Sequence, residues 1–338
     1  MCVQDLGRPG FMAFGLSQGG AADRLALIEG AALLDQDVGL GALEMAGAGG
    51  TFAFSHDGRI ALTGAPMRAL LDGRPLAWNA SHGVGAGQRL ELGGALKGVF
   101  AYLHLGGGIA TPPVLGSRSC HLVAGLGEVL AAGAELPLGE DPKPGETGWR
   151  LQSVADRFSG GLVRVLPSAQ TGLFGAAQIE RFQSVTFTRA QRGNRQGVQL
   201  TCDGAPFAVA GQLRILSESM VPGDIQMTGE GRPFVLLPEC QTTGGYPRIA
   251  NVIPGDLPIV AQAAPGARLR FRFVSLERAL AADQSPRQLW ARLRRARVPL
   301  VRDPHDIADL LAYQLISGVT AGADHADEGC SEGEEDER

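Results

Sequence analysis

ILSESMVPGDIQMTGEGRPFVLLPECQTTGGYPRIANVIPGDLPIVAQ, residues 215–262, sets short apolar runs between Pro and Gly turns, and Gln241-Thr242-Thr243-Gly244-Gly245-Tyr246-Pro247 stands at its centre. Two adjacent glycines remove every Cβ from a short loop, so backbone N–H groups there are open to close approach by a ligand. Gln241, Thr242, Thr243 and Tyr246 add side-chain donors and acceptors around the same point. This is the composition of a polar small-molecule site, or of a tight structural turn.

The same punctuation runs outward through the chain. Residues 59–63, 88–92, 99–105, 162–166, 185–188 and 234–237 have strand length, and Arg268–Phe273 alternates Arg with Leu or Phe as a half-buried strand does. Asp72-Gly73 reads as a hairpin turn, and Asp23 as the N-cap of an early helix carrying Leu25, Ile28 and Ala32. Many short strands with frequent turns predict a mainly β fold of barrels or sandwiches. A charged Pro/Gly segment at 138–146 marks a boundary. Across it, Gly85-Ala86-Gly87-Gln88-Arg89-Leu90-Glu91-Leu92 echoes Ala264-Pro265-Gly266-Ala267-Arg268-Leu269-Arg270-Phe271, which suggests two similar barrels. Ser285-Pro286 and Asp303-Pro304 each open an amphipathic helix that packs on the second barrel or on a partner, and residues 324–338 form an acidic tail read as disordered.

A chain of 338 residues has material for two domains. Its net charge of −5 gives no electrostatic reason to expect nucleic acid. No stretch approaches the roughly 20 apolar residues of a membrane span, so a cytoplasmic protein is expected. The five cysteines are scattered without a CxxC pair, and none of the six histidines forms a metal-spaced pair, so neither a disulfide framework nor a metal site is expected. His104 reads as a core imidazole. The two lysines, Lys97 and Lys143, lie in Leu-Lys-Gly and Pro-Lys-Pro, unlike the Met-Lys-Met hairpin of a biotin carrier, so no covalent biotin is expected on this chain. No G-x-x-x-x-G-K-[ST] loop is present, and Gly47-Ala48-Gly49-Gly50 reads as a strand-linking turn.

Val3-Gln4-Asp5-Leu6-Gly7-Arg8-Pro9-Gly10 and the QTTGGYP loop, with Ala61-Leu62-Thr63-Gly64-Ala65, Gly106-Gly107-Gly108-Ile109 and Val114-Leu115-Gly116-Ser117-Arg118-Ser119 between them, resemble in order and spacing the biotin-dependent carboxyltransferase-like family. That family includes the 5-oxoprolinase C subunits, the KipA regulators and the second allophanate hydrolase subunits. The resemblance departs at Glu239-Cys240, where the family has Asp-Arg, at Gly193-Asn194-Arg195-Gln196-Gly197, and at Gln18-Gly19-Gly20-Ala21-Ala22-Asp23. Only Met1-Cys2 precede Val3, so the family's short first strand is expected to be missing, with a mis-assigned start codon as one cause.

The resemblance implies two cyclophilin-like β-barrel subdomains, at 1–140 and 150–280, followed here by a helical extension at 285–318. It implies either ATP-dependent opening of the 5-oxoproline lactam to glutamate together with separate A and B subunits, the latter KipI-like, or carboxyl transfer in a urea-carboxylase-like enzyme, or KipA-type regulation of a histidine kinase. ATP would be used by the complex, at a site not located in this chain. Thr242, Thr243, Gly244 and Gly245 are the candidate groups for stabilising charge on a lactam or amide oxygen. Gln241 and Tyr246 are candidate substrate contacts, as are Gln226 and Glu218, each of which is otherwise a hydrogen-bonding residue at a strand edge. Arg195 offers a fork for a substrate carboxylate or is a surface arginine, and Asp256 orients the site or caps a short helix with Pro258. Asp5 and Arg8 read as a clamp on the Gly7 and Gly10 loop. Cys240 has no base beside it in the sequence and is not read as a nucleophile.

Overall fold

Arg268–Phe273 is a strand over the length its alternation predicts, with Leu269 and Phe271 buried and Arg268, Arg270 and Arg272 exposed. In the computed structural model, which describes residues 1–209, 216–301 and 305, this strand closes a barrel. The chain divides into two units, Met1–Leu300 and Val301–Arg338, and the barrel and both large sheets belong to the first. The helix expected from Asp303 and the tail at 324–338 lie outside the described residues.

The barrel has seven strands in the order Gly160–Leu166, Arg248–Val252, Asp224–Met227, Pro233–Leu236, Gly197–Thr201, Phe187–Asn194 and Arg268–Phe273. Arg268–Phe273 shuts it by pairing in parallel with Gly160–Leu166, from Gly160↔Arg268 to Val165↔Phe273. A helix at Ala176–Ser184 presents Phe182 to Phe271 and Phe187, with ring centroids 5.1 and 5.5 Å apart. These rings are fully buried, and apolar burial of this kind is the main favourable term holding the barrel.

The first half does not close. Its strands form a seven-stranded sheet, in the order Cys2–Gln4, Ala42–Ala46, Phe100–Leu105, Gly58–Gly64, Ala80–Val84, Trp149–Leu151 and Arg297–Pro299, over a four-stranded sheet of Thr51–Ala53, Arg89–Ala95, Met67–Leu71 and Arg74–Pro75. Leu43, Ile60, Leu62 and Leu103 from the first sheet share a core with Met67, Ala69, Leu90 and Leu92 from the second. The chain changes sheets at Gly47–Gly50, as the reading of a strand-linking turn expects. Gly47 takes φ +73°, and a Cβ on Gly49 would stand 2.6 Å from the Leu92 carbonyl oxygen. Gly49→Ala should therefore cost about 1–3 kcal/mol, read as a fall in denaturation midpoint. Asp72 and Gly73, at φ +48° and +78°, form the expected hairpin turn.

The first long helix, Arg24–Leu34, is capped by Asp23, whose side chain accepts from Ala26 N at 3.0 Å. It is buried over nearly its whole length because it lies on the seven-stranded sheet and its first turn also joins the barrel core through Ala26 and Leu27. The segment at 138–146 folds back on the first half, with Asp141 paired to Arg59, and Trp149–Leu151 adds to the first sheet. The second half of the chain also returns there. The helix Pro286–Arg295, after a Ser285–Gln288 capping box, packs on Arg24–Leu34 through Leu293 and the Arg294–Asp35 pair, and Arg297–Pro299 pairs with Trp149–Leu151. The expectation that this helix sits on the second barrel or on a partner is corrected: its Leu293 packs against the cluster of Leu33, Leu34, Ala61 and Leu151.

Candidate functional site

Between barrel strands Pro233–Leu236 and Arg248–Val252 the chain leaves the barrel and carries the Gln241–Pro247 loop. Thr243–Gly244 pairs antiparallel with Glu218–Ser219, and Met220 N donates to Thr242 O at 2.8 Å. Thr242 is buried, Gln241 and Thr243 are exposed, and Gly244, Gly245 and Tyr246 are half-buried. Gly244 has no positive φ, and a Cβ there would meet only the flexible Met220 side chain, 3.3 Å from Cγ. The backbone conformation therefore does not demand glycine at 244. That side of the ribbon is packed by the buried Met220 side chain.

Under the ribbon lies a polar network that the sequence reading missed. The Arg248 guanidinium donates from Nη2 to Glu218 Oε2 at 2.6 Å, and from Nη1 to Ser219 O at 2.8 Å and Asp224 Oδ2 at 3.2 Å. Gln170 Oε1 accepts from Arg248 N at 2.9 Å, while Gln170 Nε2 donates to Glu218 Oε2 at 2.7 Å. Gln241 Nε2 donates to Gln226 Oε1 at 3.3 Å. The structure thus brings Glu218, Gln226, Gln241 and Thr242–Tyr246 together, with Arg248 and Gln170 fixing the ribbon to the barrel. The only cue for Arg248 was its place directly after Pro247.

Arg195 and Asp256 are engaged elsewhere. Arg195 is buried and donates from Nε to Glu239 Oε1 at 2.6 Å, from Nη1 to Glu44 Oε1, and from Nη2 to Gly20 O at 2.5 Å. Burial works against its charge, but Glu44 and Glu239 outweigh burial and raise its pKa. Glu44 also accepts from Tyr102 Oη at 2.6 Å and Ala22 N at 2.8 Å, and Glu239 Oε2 accepts from Leu122 N at 3.2 Å. Arg195 is therefore not an open carboxylate fork in this structure. It is a clamp joining the barrel to the first half beside the root of the loop. Arg195→Lys should lower stability by about 1–3 kcal/mol, because a lysine cannot reproduce the three directed donors, while leaving KM for substrate near wild type. Thermal unfolding beside steady-state kinetics reads both. Asp256 accepts from Arg164 N at 2.7 Å and pairs with its guanidinium at 2.6 Å, and its side chain makes no capping bond to the helix Leu257–Gln262.

The remaining candidates are structural. Asp5 accepts from Ser117 Oγ at 2.6 Å, Arg118 N at 2.7 Å and Gly7 N at 2.8 Å, joining the two sequence motifs that contain them. His104 meets Thr63 Oγ1 at 2.9 Å, and burial lowers its pKa to about 3. Burial pushes the Cys240 thiol up to about 12, the wrong direction for a nucleophile. Ser17 Oγ lies 2.8 Å from His121 Nε2, but Ala124 N donates to His121 Nδ1 at 3.3 Å. That bond assigns the imidazole proton to Nε2, so the ring donates to Ser17 and does not activate it. Among the described residues no group of three or more His, Cys, Asp or Glu is placed to hold a metal.

The fold agrees with that of known proteins. Residues 14–273 match the carboxyltransferase domain, subdomain A and B, and the chain belongs to that family. It is 35% identical to the 5-oxoprolinase C subunit of Escherichia coli over 86% of this chain and 94% of that protein, and 34% identical to its Haemophilus influenzae counterpart, also a 5-oxoprolinase C subunit, over 82% and 89%. The crystal structure of TTHA0988 matches at TM-score 0.72 and 31% identity, covering 80% of this chain and 53% of that one. The chain thus spans about half the length of that solved relative. The K. lactis urea amidolyase structure shares the fold, at TM-score 0.76 and 23% identity over 86% of this chain and 19% of that one.

Proposed function

We propose that this chain is the C subunit of an ATP-dependent 5-oxoprolinase and that its Gln241–Tyr246 loop binds and polarises the lactam carbonyl of 5-oxoproline. The observation that carries the reading is the loop itself. The Thr243–Gly244 ribbon, flanked by Thr242 and by the Gln226–Gln241 pair, is held by the Glu218–Arg248–Gln170 network. A lactam oxygen gains negative charge as water adds to its carbon, and donors fixed in advance stabilise that charge without reorganising. The Thr hydroxyls and the Gly244 and Gly245 amides are the groups of the loop that serve here. The Gln226 and Gln241 amides complement the lactam N–H and C=O.

Identity along nearly the full length of two 5-oxoprolinase C subunits supports the substrate. ATP hydrolysis, and A and B subunits working in the same cytoplasmic complex, belong to the proposal, with the ATP site outside this chain and no biotin attached to it. A second reading, the carboxyltransferase component of a urea-carboxylase-like enzyme, draws on weaker likenesses: 27% identity to urea amidolyase of Saccharomyces cerevisiae over 16% of that protein. The deciding experiment is co-expression with the A and B subunits and measurement of ATP hydrolysis with and without 5-oxoproline. Stimulation by 5-oxoproline, absent when this chain is omitted, supports the proposal. A complex that ignores 5-oxoproline but accepts carboxyl groups from a biotin carrier supports the second reading instead.

A further inference from the structure

Cys2 opens the edge strand Cys2–Gln4, and Cys120 follows the Ser117-Arg118-Ser119 segment held by Asp5. Cys120 N donates to Val3 O at 2.9 Å, which sets the two cysteines side by side. Gln4 spans both, donating from Nε2 to Cys2 Sγ at 3.1 Å and to Cys120 O at 3.3 Å. Cys120 Sγ itself donates to Glu128 O at 3.2 Å. Both are buried, yet Cys120 lines a cavity of about 230 Å³ together with Val3, Arg8, Ser119 and Gly127. Gly127 keeps the sulfur uncovered, since a Cβ there would lie 2.8 Å from Cys120 Sγ.

We propose that Cys2 and Cys120 are a redox modification site, oxidised by hydrogen peroxide to a disulfide that dithiol reductants reverse. The neighbouring Cys2 favours proton loss at Cys120 and lowers its pKa, and the positive charge of Arg8 lies nearby. The Cys120 thiolate attacks one peroxide oxygen, the O–O bond breaks, and the released hydroxide takes a proton to leave as water. Cys2 sulfur then attacks the Cys120 sulfenic sulfur. The S–O bond breaks, the Cys2 proton leaves with the hydroxide as a second water, and two thiols plus one peroxide have become one disulfide plus two waters. The bond would staple the edge strand to the segment whose next residues, His121 and Leu122, contact Ser17 and Glu239. It therefore reaches the root of the Gln241 loop, and it holds whatever the substrate is.

The test uses the purified full chain, treated with hydrogen peroxide, denatured and digested without reductant. The expected result is a fall in free thiols from five to three per chain, a Cys2–Cys120 linked peptide lighter by two hydrogens than its parts, and full return of both thiols with dithiothreitol. In Cys2→Ser, Cys120 should instead accumulate as sulfenic acid trapped by dimedone, and Cys120→Ser should give neither product. Peroxide treatment that leaves Cys2 alkylatable while Cys120 proceeds to sulfinic acid, that joins a different pair, or that touches neither thiol overturns the proposal.

Discussion

Arg157→Leu is expected to cost about 3–5 kcal/mol of folding stability and to lower the melting temperature by on the order of 10 °C. Arg157 is buried and donates from Nε to Asp23 Oδ2 at 2.6 Å and from Nη1 and Nη2 to the two Glu29 oxygens at 3.0 and 2.7 Å. Asp23 also accepts from Gln262 Nε2 at 2.8 Å, and Gln262 Oε1 accepts from Val99 N and Phe100 N, both at 2.9 Å. One network thus joins the helix Arg24–Leu34, the first sheet and the helix Leu257–Gln262 on the barrel. Leucine fills the volume and leaves two carboxylates buried without their cation, which is where the cost arises. Burial already raises the Glu29 pKa, with Arg157 opposing it, so removing Arg157 raises it further. A group whose folded pKa is raised contributes stability that is present at low pH and lost as pH rises through that value. The variant should therefore be less impaired at pH 5 than at pH 8. Arg232→Ala, which breaks an exposed pair with Glu230, should change stability by less than about 0.5 kcal/mol. Unfolding curves of both variants at two pH values check the prediction, and an Arg157→Leu protein as stable as wild type would refute it.

What the sequence made legible was local. Alternation at Arg268–Phe273, the Asp23 cap and the Asp72-Gly73 turn are each set by neighbours in the chain, and each is found where it was read. The QTTGGYP loop was legible as a site candidate because glycine pairs and polar side chains carry their meaning in a few residues. Long-range partners left no such trace. Nothing near Arg195 shows that Glu44 and Glu239 will occupy its guanidinium, and an arginine free to meet a ligand has the same local sequence. The two-residue ribbon of Glu218–Ser219 and Thr243–Gly244 is too short for any periodicity. Barrel closure depends on the parallel pairing of Gly160–Leu166 with Arg268–Phe273, and the first half's opposite outcome depends on a sheet change at Gly47–Gly50, where glycine is tolerated in either fold. Return of the chain to its first sheet at Arg297–Pro299 is likewise a matter of which edge is free, and Trp149–Leu151 provides it.

The loop carries the largest expected effect on activity. Thr243 is exposed on a ribbon held by backbone pairing and by Arg248, so Thr243→Val should leave folding within about 0.5 kcal/mol of wild type. Gly244→Ala should also fold, since its Cβ meets only the Met220 side chain. If the loop polarises the reacting carbonyl, the missing hydroxyl is felt mainly in the transition state and kcat falls by on the order of 10²–10³ with little change in KM. The most direct measurement is the steady-state rate of 5-oxoproline-dependent ATP hydrolysis by the co-expressed complex carrying Thr242→Val or Thr243→Val, with complex formation and melting temperature recorded on the same samples. The account predicts an intact, stable complex in which Thr243→Val slows turnover by that factor; full activity in both variants, with folding and assembly unchanged, would contradict it.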